Sequence, residues 1–120
     1  MNTELKELII NFNNGDDTNK QKLLPQILEL IEKSNFILQV STKEQIFEIK
    51  TNGTDYLLPI YTDEDEIKNN DYDIKKELKF KEILQLIKDS KEFIDLKHIV
   101  INPDTDNFFI FDKIIELFNK

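Results

Sequence analysis

Two short apolar segments, each followed at once by polar residues, constrain the fold of this chain more than any other feature. The first, 57–61, precedes Thr62 and a run of acidic residues, and the second, 98–101, precedes Asn102 and Pro103. Apolar runs that end in turn or cap residues are typical of buried strands. Thr62 is predicted to cap a helix whose first-turn acids complement the helix dipole. The Asn-Pro pair predicts a type I turn, with Asn102 in extended geometry because a proline follows it.

Hydrophobic periodicity predicts an α/β (α+β) fold, a single domain with a mixed sheet of about five strands and about five helices. The predicted strands form a meander and then a hairpin, and they cover residues 36–40, 45–50, 55–61, 96–102 and 107–111. The predicted helices cover residues 3–12, 18–33, 63–69, 80–90 and 112–119. Asn52-Gly53 predicts a tight turn between two meander strands, because both residues accept positive φ. Pro25 lies inside the second helical pattern, so that helix either begins near Leu24 or is kinked at the proline.

Composition excludes several functional classes. The chain has no cysteine, which excludes a disulfide framework, a thiolate nucleophile and a thiolate zinc site. Its two glycines are too few for a glycine-rich phosphate loop. A formal net charge of −8 argues against nucleic acid as a partner, since a phosphate backbone must be met by clustered basic residues. Neither a signal peptide nor a bilayer-spanning stretch is visible, so we expect a cytoplasmic protein without a membrane partner.

The titratable residues do not predict catalysis. His98 is the only histidine, and it begins a predicted strand with no nucleophile at a fitting spacing, so we predict that the chain is not an enzyme and has no catalytic residue. The acidic cluster 63–66 is explained by helix capping, and Asp104 with Asp106 by turn chemistry. We therefore predict neither a metal nor a cofactor, although clustered oxygen ligands suit hard cations.

The last predicted strand carries a series of aromatic residues. Phe109 and Phe111 would share one face of it, and Phe108 and Ile110 the other. If one face lacks a covering helix, it forms an exposed apolar patch and a partner site. We favour a strand covered on both faces, because the predicted helices are numerous enough to cover the sheet.

The order of these motifs resembles the N-terminal domain of the SseB family. That family's pattern is roughly a strand ending Leu-Pro-Val-Phe-Thr-Ser before an acidic helix start, and later a strand ending in an aliphatic residue and Asn-Pro. Segments 58–65 and 99–103 match it, with Ile60 and Tyr61 as conservative replacements and Asp63 in place of the small polar residue. The resemblance implies that residues 1–120 form one SseB-like N-terminal domain of unknown biochemical activity, with suggested links to protein interaction or secretion.

We expect a non-catalytic cytoplasmic protein-interaction or adaptor domain of the SseB type, with another protein as its partner. The apolar segments 57–61 and 98–101 are the two strands that end in polar residues. If they are parallel neighbours joined by a helical crossover, their carboxyl ends form the usual ligand crevice of an α/β sheet. The predicted binding residues in the loops after these strands are Tyr61, Thr62, Asp63, Asp65, Asn102, Asp104 and Asp106. Two alternatives stay open: a sensor of an amino-acid-like small molecule in that crevice, and an acidic immunity or inhibitor protein for a basic partner.

Overall fold

Helices and two groups of strands alternate along the part of the chain that the computed structural model describes, which is residues 3–41, 46–52, 55–68, 72, 74–89, 96–105 and 107–110. The helices are α1 (Thr3–Asn14), α2 (Asp17–Lys33) and α3 (Phe80–Asp89), with a 3-10 turn at Glu64–Glu66. The strands are β1 (Asn35–Ser41), β2 (Ile46–Phe47), β3 (Lys50–Asn52), β4 (Asp55–Ile60), β5 (Ile74–Lys79), β6 (Leu96–Ile101) and β7 (Phe108–Ile110). This mixture of helices and mixed sheets confirms the predicted fold class.

The strands form a three-stranded group in the order β2-β1-β5 and a four-stranded group in the order β3-β4-β6-β7. Strands β4 and β6 are parallel, with Ile60 opposite Ile101, whereas the other pairings are antiparallel. One residue pair joins the groups: Ile37 of β1 and Tyr61 exchange both backbone hydrogen bonds, at 2.8 and 2.9 Å. The predicted parallel neighbours are therefore confirmed, and β5 and α3 lie between them in sequence, as a parallel pair requires.

The predicted strand 45–50 is divided between the two groups. Strand β2 pairs with the end of β1, and β3 pairs with the beginning of β4. The segment 46–52 thus lies between the end of β1 and the beginning of β4. At the opposite ends of these strands, Ile37 of β1 pairs directly with Tyr61, the residue after β4. The antiparallel order of the predicted meander is retained, but seven short strands are described instead of about five longer ones. The predicted turn residue Gly53 lies outside the described part of the chain.

The main core lies between the helices and one face of the strands. Each helix contributes residues three or four positions apart, as helical periodicity requires, among them Leu5 and Ile9 of α1 and Ile27 and Ile31 of α2, all buried. Helix α2 begins at Asp17, where the side chain of Asp16 accepts a hydrogen bond from the Asn19 amide at 2.9 Å. A start near Leu24 is therefore wrong: Pro25 lies inside α2, on its exposed side. No helix in the described ranges is long and apolar enough to cross a membrane.

The predicted helix 63–69 is wrong over its described part. Only the 3-10 turn forms, and Ile67 after it returns to extended geometry. Thr62 does not cap this turn; Asp63 precedes it and makes no side-chain capping hydrogen bond. The Thr62 hydroxyl instead accepts from Asn102 Nδ2 and donates to Asp63 Oδ2, which leaves the acidic segment without a side-chain cap at its start. The predicted helix 112–119 lies outside the described residues.

Strand β5 is an element that the sequence analysis did not predict. Its residues, Ile-Lys-Lys-Glu-Leu-Lys, pair with β1 along their whole length, from Asn35 opposite Lys79 to Val40 opposite Ile74. The segment has only two apolar residues and no buried ones. Strand propensity depends strongly on the neighbouring strand, and here the apolar strand β1 supplies that neighbour.

The predicted hairpin 96–102/107–111 is confirmed in its described part, with Ile101 opposite Phe108 and Val100 opposite Phe109. Phe108 and Ile110 are buried in the main core, where the Phe108 ring packs edge-to-face on Phe12 with centroids 5.3 Å apart. Phe109, on the other face, is half-buried. The face that carries Phe108 is therefore covered, whereas Phe111 lies outside the described residues.

Candidate functional site

Hydrogen bonds between Thr62, which follows β4, and Asn102, which follows β6, join the ends of these two strands. The Thr62 amide donates to Asn102 Oδ1 at 3.0 Å, and Asn102 Nδ2 donates to Thr62 Oγ1 at 3.0 Å. The Asn102 amide also donates to the Ile60 carbonyl at 2.9 Å. Both side chains are buried. We call this pair the strand-end clamp; it fixes the carboxyl ends of β4 and β6 side by side.

The turn after β6 starts from an unusual backbone geometry. Asn102 has φ of 49°, so the predicted extended conformation is wrong. Asparagine tolerates this left-handed region better than most residues, and here the geometry aims its amide group at Thr62. The Asn102 carbonyl accepts hydrogen bonds from Thr105 and Asn107 amides at 3.1 and 2.9 Å. The first of these is the bond expected of the predicted turn.

A lysine from α1 joins the loop after β4. Lys6 Nζ lies 3.4 Å from Asp63 Oδ2 and 2.5 Å from Glu66 Oε1. Thr105, in the turn after β6, donates to the other oxygen of Glu66. Burial alone would raise the pKa of Glu66, but the hydrogen bonds from Lys6 and Thr105 outweigh it and hold that pKa below its ordinary value. The hydrogen bond to Glu66 raises the pKa of Lys6 in turn.

A cleft of ≈ 880 Å³ opens beside this network. It lies between the start of α1, the end of α2, the start of β1 and the loop after β4. Its charged lining consists of two lysines and four carboxylates, namely Lys6, Lys33, Asp63, Glu64, Asp65 and Glu77. Asp63 Oδ1 is buried and has no hydrogen-bond partner in the described ranges. We call this region the strand-end cleft.

A second polar group is fully buried where β1 and β4 separate. Glu48 Oε1 accepts hydrogen bonds from the Tyr61 hydroxyl at 2.7 Å and from Gln39 Nε2 at 3.1 Å. All three side chains are at most 3% exposed. Burial, followed by the hydrogen bond to Glu48, raises the pKa of Tyr61 far above its ordinary value. This trio keeps the Tyr61 hydroxyl protonated and turned away from solvent.

The structure distributes the predicted binding residues among different environments. Thr62, Asp63 and Asp65 line the strand-end cleft. Tyr61 and Asn102 are buried and hydrogen-bonded inside the protein. Asp104, in the turn after β6, is exposed, with Oδ1 3.8 Å from Lys50 Nζ. Asp106 lies outside the described residues.

Three charged residues near the site were missed by sequence analysis. Lys6 and Glu77 line the cleft from α1 and β5, and Glu48 is buried beneath Tyr61. Lys6 and Glu48 are polar positions of a predicted helix and a predicted strand, and Glu77 falls in no predicted element, so no local pattern distinguishes these residues. Only the contact between distant segments, 57 residues apart for Lys6 and Asp63, gives them a place in the site.

Comparison of the chain with models of protein families, with curated proteins and with solved structures finds no match. The resemblance to the SseB family therefore stays a prediction that rests on the motif residues.

Proposed function

We propose that the chain is a non-catalytic cytoplasmic protein-interaction domain that binds a basic segment of a partner protein in the strand-end cleft. The observation that carries the proposal is the unbalanced negative charge of that cleft. Lys6 is engaged by Asp63 and Glu66, and Lys33 lies 3.0 Å from Glu29 one helical turn away. Both cleft lysines are thus already paired.

The remaining cleft carboxylates have no such partner. Within the described part of the chain, Glu64, Asp65 and Glu77 form no ion pair, and all three side chains are exposed. Exposed carboxylates around an open cleft attract long cationic side chains and steer a basic partner towards the site. The net charge of −8 acts in the same direction over the whole surface.

The lining favours a protein segment over a small metabolite. Small-molecule sites are lined mostly by apolar and aromatic side chains with a few polar groups. Leu30 and Ile37 are the only apolar side chains among the described residues that line this cleft. The motif order that resembles the SseB family supports the same class, because that resemblance implies a link to protein interaction.

The test compares capture of a lysine-rich peptide library by the wild-type chain and by Glu64→Gln/Asp65→Asn. We expect the variant to lose most of the captured peptides, and wild-type capture to weaken as salt is raised. The matched control is Glu7→Gln/Glu32→Gln, which removes two exposed carboxylates outside the cleft lining and should capture peptides as the wild type does.

Equal capture by the cleft variant and the wild type would overturn the proposal. A metabolite screen by thermal shift supplies the competing outcome. A ligand at one hundred times its dissociation constant adds about 2.7 kcal/mol to the free energy of unfolding. If a metabolite stabilises the wild type but not the cleft variant, the cleft belongs to a small-molecule sensor instead.

A further inference from the structure

Strand β5 forms an open edge of the β2-β1-β5 group within the described residues. Its side chains from Ile74 to Glu77 and at Lys79 are exposed, and only Leu78 is half-buried. In the described ranges, Lys75, Lys76 and Glu77 make no ion pair with another residue. An exposed strand edge presents backbone amides and carbonyls to which another strand can pair.

The pairing of β1 shows which backbone groups of β5 face outward. Ile37 directs both its amide and its carbonyl to Tyr61, on the side of β1 away from β5. Glu77 is opposite Ile37, so these two form a non-hydrogen-bonded pair and the backbone groups of Glu77 point away from β1. By the same alternation, Lys75 also directs its amide and carbonyl outward, whereas Lys76 directs both towards β1.

Towards the C-terminal end of β5, Glu77 is the last residue whose outward backbone groups remain available for pairing. The Lys79 amide also belongs to the outward set, but it donates to Glu82 Oε1 at 2.9 Å at the start of α3. This hydrogen bond confirms the alternation independently. The described backbone that stays open for an additional strand is therefore that of Lys75 and Glu77.

We propose that β5 pairs in antiparallel fashion with β5 of a second copy of this chain, with Lys75 of each copy opposite Glu77 of the other. A two-fold axis then passes beside Lys76. Each Lys75–Glu77 pair is a hydrogen-bonded pair that exchanges both backbone bonds, and each also joins opposite charges. The interface is isologous, as in most symmetric dimers.

The outward backbone amides and carbonyls of β5 allow more than one antiparallel register. The side chains that would face each other favour the register with Lys75 opposite Glu77. Shifting the axis to Glu77 would place two glutamates opposite each other and would require the Lys79 amide, which Glu82 already binds. In the proposed register, Ile74, with 42% of its surface exposed, lies opposite Leu78, which packs at the margin of the main core. The two Lys76 side chains meet at the axis, where their long stems allow the ammonium groups to diverge into water.

Sedimentation equilibrium of the full chain over a range of protein concentrations tests the proposal. We expect reversible dimerisation that Glu77→Lys weakens by about tenfold or more, because both charge pairs become repulsive. The charge-swapped variant Lys75→Glu/Glu77→Lys should restore the wild-type affinity, since opposite charges again face each other. Circular dichroism confirms that each variant is folded.

A backbone substitution tests the same register. Glu77→Pro removes an outward amide, so the monomer should fold while dimerisation is lost. Lys76→Pro is the matched control: it removes an amide directed at β1 and should destabilise the fold itself. If Glu77→Pro does not fold, the comparison of Glu77→Lys with Lys75→Glu/Glu77→Lys still tests the proposed register.

Two outcomes would overturn the proposal. A wild-type chain that stays monomeric at all concentrations means that the lysines of β5 protect the edge against pairing. A dimer that is insensitive to Glu77→Lys uses another surface.

Discussion

Asn102 combines two structural roles in one buried side chain. Its backbone adopts φ of 49° to begin the turn, and its amide group binds both the amide and the hydroxyl of Thr62. Few residues can do both, because the left-handed region disfavours most side chains and only asparagine presents a donor and an acceptor at this length. The Asn-Pro motif is therefore explained by fold geometry.

Replacing Asn102 by alanine should destabilise the protein by about 2–4 kcal/mol. The substitution leaves the buried Thr62 amide without its acceptor and adds the strain of a left-handed alanine. Urea denaturation measures the loss. Asn102→Gly separates the two contributions, since glycine accepts the backbone geometry but restores no hydrogen bond. Equal stability of the wild type and Asn102→Ala would contradict the strand-end clamp.

The buried tyrosine predicts a loss of stability in alkaline solution. Burial and the hydrogen bond to Glu48 raise the pKa of Tyr61, so its contribution to the free energy of unfolding is complete below the unfolded tyrosine pKa, about 10. That contribution declines as pH rises further, because the unfolded state then releases a proton that the folded state retains. Tyr61→Phe should flatten this decline while costing about 1–3 kcal/mol at neutral pH. Urea denaturation at several pH values is the measurement. If Tyr61, Glu48 and Gln39 do not form the buried trio, stability should decline with pH in Tyr61→Phe as it does in the wild type.

At the scale of elements, Lys6 connects α1 to the loop after β4, and Glu66 connects that loop to the turn after β6. Three segments distant in sequence thus meet at one partly buried ion pair. The lysine side chain is 27% exposed and that of Glu66 is 11% exposed, so solvent screens the pair only in part. This network holds the wall of the strand-end cleft in place.

Lys6→Gln should lower the free energy of unfolding by about 1–2 kcal/mol, because it leaves Glu66 partly buried without its cation. The lowered pKa of Glu66 means that its stabilising effect is present above the ordinary glutamate pKa, about 4.3. The effect is lost as pH falls below that value, where the difference between variant and wild type should shrink. Lys33→Gln, in an exposed pair with Glu29, is the control and should change stability by less than about 0.5 kcal/mol.

At the scale of the whole molecule, the cleft adds local repulsion to a chain that already carries a charge of −8. Close like charges destabilise the folded state, and sites kept for binding are often less stable than they could be. We therefore expect the exposed acids of the cleft to contribute nothing to the stability of the fold.

We therefore expect Glu64→Gln/Asp65→Asn to leave stability unchanged or to raise it, within about 1 kcal/mol. The Glu7→Gln/Glu32→Gln control should not raise stability, because Glu32 Oε1 lies 3.7 Å from Lys81 Nζ in an exposed ion pair that the substitution removes. Urea midpoints at low salt measure the difference. A marked loss of stability in the cleft variant would show that these acids have a structural role instead of a binding role.

Local patterns were sufficient for the elements whose own residues bury an apolar face. Helices α1, α2 and α3, strand β1 and the hairpin of β6 and β7 all lie within a few residues of their predicted positions. Strand β5 was missed because β1 supplies most of its stabilising contacts. The helix expected after Thr62 was wrong because Asn102, forty residues away, takes the capping side chain.

The sequence by itself determined where the two central strands stop and that polar residues follow each of them. Periodicity and turn chemistry act over a few residues, so they leave a readable local pattern. Only the tertiary structure decided that Thr62 binds Asn102, that Lys6 meets Glu66 and that Glu48 is buried under Tyr61. The physical reason is that these contacts form when distant segments pack, and the free energy of each depends on a partner that no local pattern specifies.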